Sequence, residues 1–495
     1  MSKKKKTLQE LLEDALIPTE EHPYEVPGNW IWGNLNSLSK LIVDGSHNPP
    51  PKKNEGFPML SGRNILDGEI NFETDRYVSE DDYQKEYKRT PIESNDVLLT
   101  IVGTIGRTTV VPKEFSPFVL QRSVALIKPM VNSNYLSYYF SSPYFQYYLQ
   151  KNAKGTAQKG VYLKTLKSSR IPLPPLMEQK RITEKVEGLL GRVEEAKALI
   201  EEAKKTFEVR RATILDKAFR GELSAKWRED NRIAEDASSL LERIQIQKRN
   251  SSIKSNTLKI TSVIKEEEPF ELPNGWTWVR LGEISYYVTS GSRDWSKYYS
   301  DEGAMFIRTQ DINKNSLNLS DVAYVSLPEK VEGKRSLVEK ADILTTITGA
   351  NVGKCALVET NIKEAYVSQS VALTKLIEKS ISKYVHLSLL SPCGGGNELE
   401  ERAYGIGRPV LSLEDIKNIK IPLAPMAEQQ VIVKLVETLL ENEKESLNLA
   451  SIEKHLETLK QSILNKAFRG ELGTNDPNEE SSMKLLKKVL QEKIK

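Results

Sequence analysis

The residues of this chain best suited to chemistry are cations and amides set in turn-rich loops. Asp44-Gly-Ser-His-Asn-Pro-Pro-Pro-Lys-Lys53 gathers Ser46, His47, Asn48, Lys52 and Lys53 around a rigid proline run. Ser290-Gly-Ser-Arg-Asp-Trp-Ser-Lys297 gathers Ser292, Arg293 and Lys297 in the same way. Arg63-Asn64 and Arg308-Thr-Gln310 carry the two-pronged donors that match purine edges. Gly103-Thr-Ile-Gly-Arg107 and Gly349-Ala-Asn-Val-Gly-Lys354 are glycine turns ending in a cation, a form suited to phosphate. Gly155-Thr-Ala-Gln158-Lys159 and Gly405-Ile-Gly-Arg408 repeat that form. These are the candidate binding residues, and the polymer they suit is a nucleic acid.

Catalytic patterns are not found. The sequence has no Walker A loop, no G-x-G-x-x-G after a strand and no G-x-S-x-G elbow. Asn48-Pro-Pro-Pro51 shares its first three residues with the Asn/Asp-Pro-Pro-aromatic loop of amino-methyltransferases. Proline stands where the base-stacking aromatic is needed, so the run reads as a turn. Cys355 and Cys393 are too few for a disulfide framework or a Cys-rich zinc site. His22, His47, His386 and His455 have no metal-ligand spacing. No metal is expected. No apolar run approaches the roughly 18 residues of a membrane span, and the N-terminal lysines lead into acidic residues, so neither membrane nor export is expected. The reading is of a cytoplasmic protein whose net charge of +3 permits a nucleic-acid partner.

The elements that must position these loops are written twice. Pro23-Tyr-Glu-Val-Pro-Gly-Asn-Trp-Ile-Trp32 returns as Pro269-Phe-Glu-Leu-Pro-Asn-Gly-Trp-Thr-Trp278. Ile171-Pro-Leu-Pro-Pro-Leu-Met-Glu-Gln179 returns as Ile421-Pro-Leu-Ala-Pro-Met-Ala-Glu-Gln429. Ile214-Leu-Asp-Lys-Ala-Phe-Arg-Gly-Glu-Leu223 returns almost unchanged as Ile463 to Leu472. A period this long marks duplicated domains, since solenoid repeats run about 20–50 residues. The interiors, 46–95 and 292–340, agree only in apolar pattern, as two copies of one frame presenting different surfaces would.

Each copy opens as mixed α/β, with strands such as Val97–Val102 and Val124–Ile127 and a helix with an aromatic core face near Asn134–Ser142. It closes as a long helix. Apolar residues recur at alternating steps of four and three in the first copy: Ile182, Val186, Leu189, Val193, Ala196, Ile200, Ala203 and Phe207, then Ile214 past Arg210. Ile432, Val436, Leu439, Leu449, Ile452, Leu456, Leu459 and Ile463 follow in the second, loosened by Glu443 and Ser446. Such stripes are heptad seams, and each is the other's natural mate. The expected class is α+β: two mixed α/β domains separated by an antiparallel two-helix coiled coil, related by a pseudo-two-fold. The boundaries are an N-terminal amphipathic helix or arm 1–22, domains 23–175 and 269–425, long helices 176–228 and 426–472, a mobile polar linker 229–268 and a C-terminal basic helix or tail 473–495, with short amphipathic helices read at Thr7–Ile17 and Met483–Ile494.

This pattern resembles the specificity subunit of Type I restriction–modification systems. The resemblance rests on Pro27-Gly-Asn-Trp-Ile-Trp-Gly-Asn-Leu35 with Pro273 to Leu281, on the two I-P-L closures and on both K-A-F-R-G-E-L segments; it spans about residues 18–472. Asp44-Gly-Ser-His47 is similar to that family's D-G-T/S-H loop, from which the second copy departs at Ser290-Gly-Ser-Arg293. The resemblance implies a non-catalytic subunit whose domains each read half of a bipartite duplex DNA target, with the helices setting the spacer. It also implies two modification subunits bringing S-adenosylmethionine and methylating adenine, and restriction subunits bringing ATP and Mg. The residues alone equally admit a coiled-coil scaffold whose domains bind protein.

Overall fold

The computed structural model describes residues 6–155, 158–231, 235–251, 256, 260–328, 333–405, 407–441 and 445–494. The chain forms two compact units, one from residues 1–201 with 450–495 and the other from 202–449.

Both units have the same frame. In the first, an antiparallel sheet runs in the order Ser39–Asp44, Val124–Pro129, Val97–Thr100, Thr108–Val110. In the second the order is Ser285–Ser290, Val371–Leu376, Ile343–Thr346, Cys355–Leu357. The opening and closing motifs of each copy pair as a two-stranded ribbon, with Ile31 opposite Leu173 and Thr277 opposite Leu423. The aromatic helix is Ser133–Phe140, and Tyr135, Tyr139 and Phe140 are buried.

The repeated motifs are explained by one buried contact. Trp30 Nε1 donates to Glu178 at 2.7 Å, and Trp276 Nε1 donates to Glu428 at 2.9 Å. Each carboxylate is fully buried and is held by residues that follow the other copy's K-A-F-R-G-E-L. Asn475 donates to Glu178 at 2.9 Å; Ser224 donates to Glu428 at 2.7 Å, and Arg228 pairs with it. A buried carboxylate needs such donors to offset its desolvation. The phenylalanines cross over likewise. Phe468 lies 5.3 and 5.1 Å from the Tyr135 and Tyr139 rings, and Phe219 lies 5.1 Å from Tyr384. The glycine of each motif is required: both have φ of 74°, and a Cβ there would come within 2.3 Å of Pro27 or 2.5 Å of Pro273.

The central helix runs unbroken from Leu176 to Phe219, through Gly188 and Gly191. The distal stretch comprises Met426–Glu441 and Glu445–Phe468. Within the first unit, Ile182, Val186 and Val193 share a core with Ile463, Leu464, Ala467 and Phe468. Within the second, Leu215, Ala218 and Phe219 share one with Ile432 and Val436. Start of one helix against end of the other is antiparallel packing. Ile200 is buried, while Leu189, Phe207, Ile214, Leu439 and Leu456 are half-buried. Ile452 and Leu459 depart from the expected seam, at 42% and 48% exposed. A two-helix contact covers one narrow stripe, and Leu464 and Ala467 occupy it near this end instead. Glu443 and the side chains of Ser446 and Leu449 lie outside the described residues.

The expectation of a mobile linker needs correction. Within the supposed mobile linker, Ala237–Asn250 is a helix burying Ala237, Leu240 and Ile244 in the second core. The C-terminal basic segment, read from the sequence as a short amphipathic helix over Met483–Ile494, contains the helix Ser482–Ile494, which buries Leu486, Val489 and Leu490. The two are structural counterparts. Ala237 N donates to Gly275 O and Ser482 N to Asn29 O, while Lys248 reaches the Gly282 carbonyl and Lys493 the Asn36 carbonyl. Polar composition hid the stripe of three apolar residues, Ala237, Leu240 and Ile244, in the linker helix. The first copy's expected long helix, 176–228, ends at Phe219; Ala225–Asp230 is a separate short helix. The N-terminal arm holds the helix Leu8–Ala15, with Thr7 and Glu10 forming a capping box.

Candidate nucleic-acid interface

In each unit a polar cleft opens where two parallel strands end. Phe57–Leu60 lies parallel to Val119–Leu120, and their ends deliver Ser61-Gly-Arg63 and Gln121-Arg-Ser123 side by side. Ala304–Ile307 lies parallel to Ala365–Val367 and delivers Arg308-Thr-Gln310 and Ser368-Gln-Ser370. Ends of parallel strands leave backbone and loop side chains unpaired around a crevice, a common place for ligands. The third wall is the glycine loop after the next strand, tied to a neighbouring loop: Gly103 N donates to Lys159 O at 3.1 Å, and Gly349 N to Pro409 O at 3.0 Å. Gly45 and Gly291 pass so close to the strand end that a Cβ would sit 2.2 Å from Leu120 O or 1.8 Å from Val367 O.

The first cleft, of about 870 Å3, is lined by Lys52, Arg63, Asn64, Arg76, Arg122 and Gln158, with Glu73 and Asp75. The second, of about 880 Å3, is lined by Ser292, Arg293, Arg335, Gln369 and Arg408, with no carboxylate in its wall among the described residues. The structure thus brings Lys52, Arg63, Asn64 and Gln158 together in one unit, and Ser292, Arg293 and Arg408 in the other. It leaves His47, Asn48, Lys53, Arg107, Lys159, Lys297, Gln310 and Lys354 off the cleft walls. Arg76, Gln121, Arg122, Arg335 and Gln369 were missed. The signal for some of them was in the sequence: Gln121-Arg-Ser123 and Ser368-Gln-Ser370 interrupt apolar runs at matching places.

Several candidates are engaged internally. Ser46 is buried and donates to Glu86 at 2.9 Å. Asn64 is buried; its Oδ1 accepts from Ser61 N at 2.9 Å and its Nδ2 donates to the Asn71 and Glu73 carbonyls. Its counterpart is Asp311, which accepts from Arg308 N at 2.7 Å. This register sets Arg63 against Gln310 and Ser61 against Arg308. Arg308 is folded back on Asp311 at 3.3 Å and on the Asp321 carbonyl at 3.0 Å. The guanidinium of Arg63 has no partner among the described residues. Lys52 pairs with Asp75 at 2.6 Å, both well exposed, and His47 pairs with Asp44 at 2.7 Å. The proline run follows a bend at His47–Asn48, and its Pro50 carbonyl accepts from Arg76 at 2.8 Å. Among the described residues no group of three or more His, Cys, Asp or Glu is set to hold a metal, and no helix is long and apolar enough to cross a membrane.

Two α/β units of one design, each with a cation-rich cleft and joined through paired long helices, define a duplicated recognition protein. Residues 46–205 and 273–454 match the family model "Type I restriction modification DNA specificity domain". The chain belongs to that family and is a specificity subunit, the non-catalytic component of such systems. It is 25% identical to the Type I restriction enzyme EcoBI specificity subunit of Escherichia coli over 90% of this chain and 86% of that one. It is likewise 25% identical to the EcoAI specificity subunit of the same organism, over 89% and 81%. A chain solved in work on complex assembly and conformational transition of the Type I system shares the fold, with a TM-score of 0.59, 22% identity and coverage of 91% and 100%.

Proposed function

We propose that each unit reads one half of a bipartite duplex target through its strand-end cleft, the first with Arg63, Arg76 and Arg122 and the second with Arg293, Arg335 and Arg408. The observation carrying this is that one cleft recurs at the same place in both units with different side chains on its walls. A constant frame with variable walls is what two independent readers need. Arginine forks match guanine O6 and N7, while the carboxylates of the first cleft can accept from cytosine N4. The paired helices act as the ruler for the spacer. Two modification subunits supply S-adenosylmethionine and methylate adenine in the target, and restriction subunits supply ATP-driven cleavage, in the cytoplasm. Exchanging residues 24–170 for those of another family member tests the reading. The methylated motif of the assembled complex is expected to change in one half only, and a change in both halves would sink the two-reader assignment.

The two arginines once paired by sequence are expected to behave differently. Arg63→Ala weakens cognate duplex by about 1–3 kcal/mol and random duplex much less, as loss of a base contact does. Arg308→Ala leaves the cognate-to-random ratio unchanged and loosens the loop instead, because its fork is already bonded to Asp311 and Asp321. Titration of both variants against cognate and scrambled duplexes at one salt concentration reads the contrast. Equal losses on both duplexes for Arg63→Ala would make that residue a phosphate contact.

A further inference from the structure

The two units share a frame but differ in charge along one stretch of it. In the first unit this stretch is the helix Pro143–Asn152, the turn that follows and the short helix Leu163–Lys167. Residues 143–170 hold six cations and no carboxylate, whereas the matching residues 393–420 hold four cations and five carboxylates. The match is structural as well as sequential. Lys154 bridges Gly160 as Tyr404 bridges Val410, and Leu163–Lys167 corresponds to Leu413–Lys417.

In the second unit the cations are answered on the spot. Lys417 meets Glu414 at 3.3 Å, while Lys420 and Arg402 meet Glu398 at 3.2 and 3.1 Å. In the first, Lys151, Lys154, Lys159 and Lys164 are exposed, and none has a carboxylate within ion-pair distance among the described residues. Arg170 is paired, with Glu21 at 2.5 Å. A lysine in the last turn of a helix is ordinarily explained by the helix dipole. That does not account for Lys151, because Glu401 stands at the same place and closes the helix Asn397–Glu401. The frame therefore accepts either charge, and the first unit has collected one sign. Tyr147 and Tyr162, 63% and 65% exposed, stand where the second unit has Asn397 and Ser412, and the Lys151 ammonium is 5.8 Å from the Tyr147 ring centroid.

This tract runs into the first unit's strand-end cleft. Gln158 lines that cleft, and Lys159 O accepts from Gly103 N in its glycine loop at 3.1 Å. Lys154 and Gly160 exchange both backbone hydrogen bonds at 2.9 Å, which fixes Lys154 at the base of the same turn. Gln146, on the helix that carries Lys151, donates to Gly106 O in the glycine loop at 2.8 Å. Lysine and tyrosine are phosphate donors without base preference. A duplex seated in the cleft offers each strand's phosphates at about 3.4 Å intervals along its axis, a regular array for such donors.

We propose that Lys151, Lys154 and Lys164, with Tyr147 and Tyr162, grip the phosphate backbone of duplex DNA beside the half-site that the first unit reads. At the matching places the second unit has Glu401, Tyr404 and Glu414, so the grip is one-sided. The inference rests on the reading that the strand-end clefts bind duplex DNA, and adds to it a contact that carries no sequence information.

The test measures duplex binding by the full chain over a range of salt concentrations. Lys151→Gln, Lys154→Gln and Lys164→Gln together should flatten the slope of log affinity on log salt by about 2 to 3, since each lost phosphate contact removes about 0.9. Cognate and random duplexes should weaken by the same factor, about tenfold at low salt. The triple lysine-to-arginine variant keeps the charges and should keep the slope, which separates lost charge from lost fold. Hydroxyl-radical footprinting should lose protection only next to the half-site that changes when residues 24–170 are exchanged. An unchanged slope in the glutamine variant, with the natural chain binding duplex normally, overturns the grip and leaves the cleft reading intact. That result together with lost binding of a polyglutamate peptide would make the tract a protein-docking surface instead. A changed cognate-to-random ratio would make these lysines base readers and overturns the proposal too. No salt-dependent duplex binding by the natural chain overturns the cleft reading and this inference with it.

Discussion

Phe468→Ala is expected to destabilise the first unit by about 3–5 kcal/mol, the usual cost of emptying a buried phenylalanine site. Phe468 is 1% exposed and sits edge-on to Tyr135 and Tyr139. Both tyrosines are fully buried, with hydroxyls donating to the Pro172 and Arg170 carbonyls at 2.7 Å. The ring thus supports the ribbon that opens and closes the first domain, although it belongs to the second copy of the repeat. Phe219→Ala should do the same to the second unit through Tyr384, whose hydroxyl donates to Pro422 O at 2.6 Å. Hydrogen exchange resolved by segment measures this. Phe468→Ala should expose strand Val97–Thr100 and spare Ile343–Thr346, and Phe219→Ala should do the reverse. If each variant loosened the domain of its own sequence copy, the crossed closure would be wrong.

The second large effect is on acid stability and is confined to the second unit. His386 lies on helix Ser382–Leu390, 4% exposed, with Nε2 3.4 Å from the Cys355 carbonyl. Burial lowers its pKa to about 4; Arg211 and Lys383 act in the same direction, while the Cys355 carbonyl and Glu359 oppose it. The unfolded chain therefore takes up this proton near pH 6.5 and the folded chain only near pH 4. Between those values the unfolded state binds more protons, so stability falls as pH falls. The contribution is fully present above about pH 6.5 and decreases by about 3 kcal/mol on the way to pH 4. Urea unfolding of natural chain and His386→Leu at pH 7 and pH 4.5, followed by exchange in strand Cys355–Leu357, reads the difference. The variant should lose less stability on acidification than the natural chain. An identical loss would assign the acid sensitivity to carboxylates held below their usual range, such as Glu339 beside Lys379 and Lys375.

The sequence by itself determined the duplication, the paired opening and closing motifs, the helical seams and the two sets of cation-bearing loops. Each of these is written in residue order, as a repeated string or a period of apolar side chains. Tertiary structure alone decided which segment completes which unit. The Glu178 and Glu428 carboxylates are satisfied, and Tyr135 and Tyr384 covered, by residues roughly 165 to 335 positions away in the other copy. Identical motifs cannot specify which copy they will meet. Tertiary structure also decided which cations remain available. Arg63 and Arg308 look alike in sequence, but an arginine's reach allows it to bond back on its own turn, and only the position of Asp311 makes Arg308 do so. Asn64 and Ser46 have the donors of a DNA contact and are buried, because a chain that turns sharply at a strand end must satisfy its own backbone before it can offer anything to a ligand.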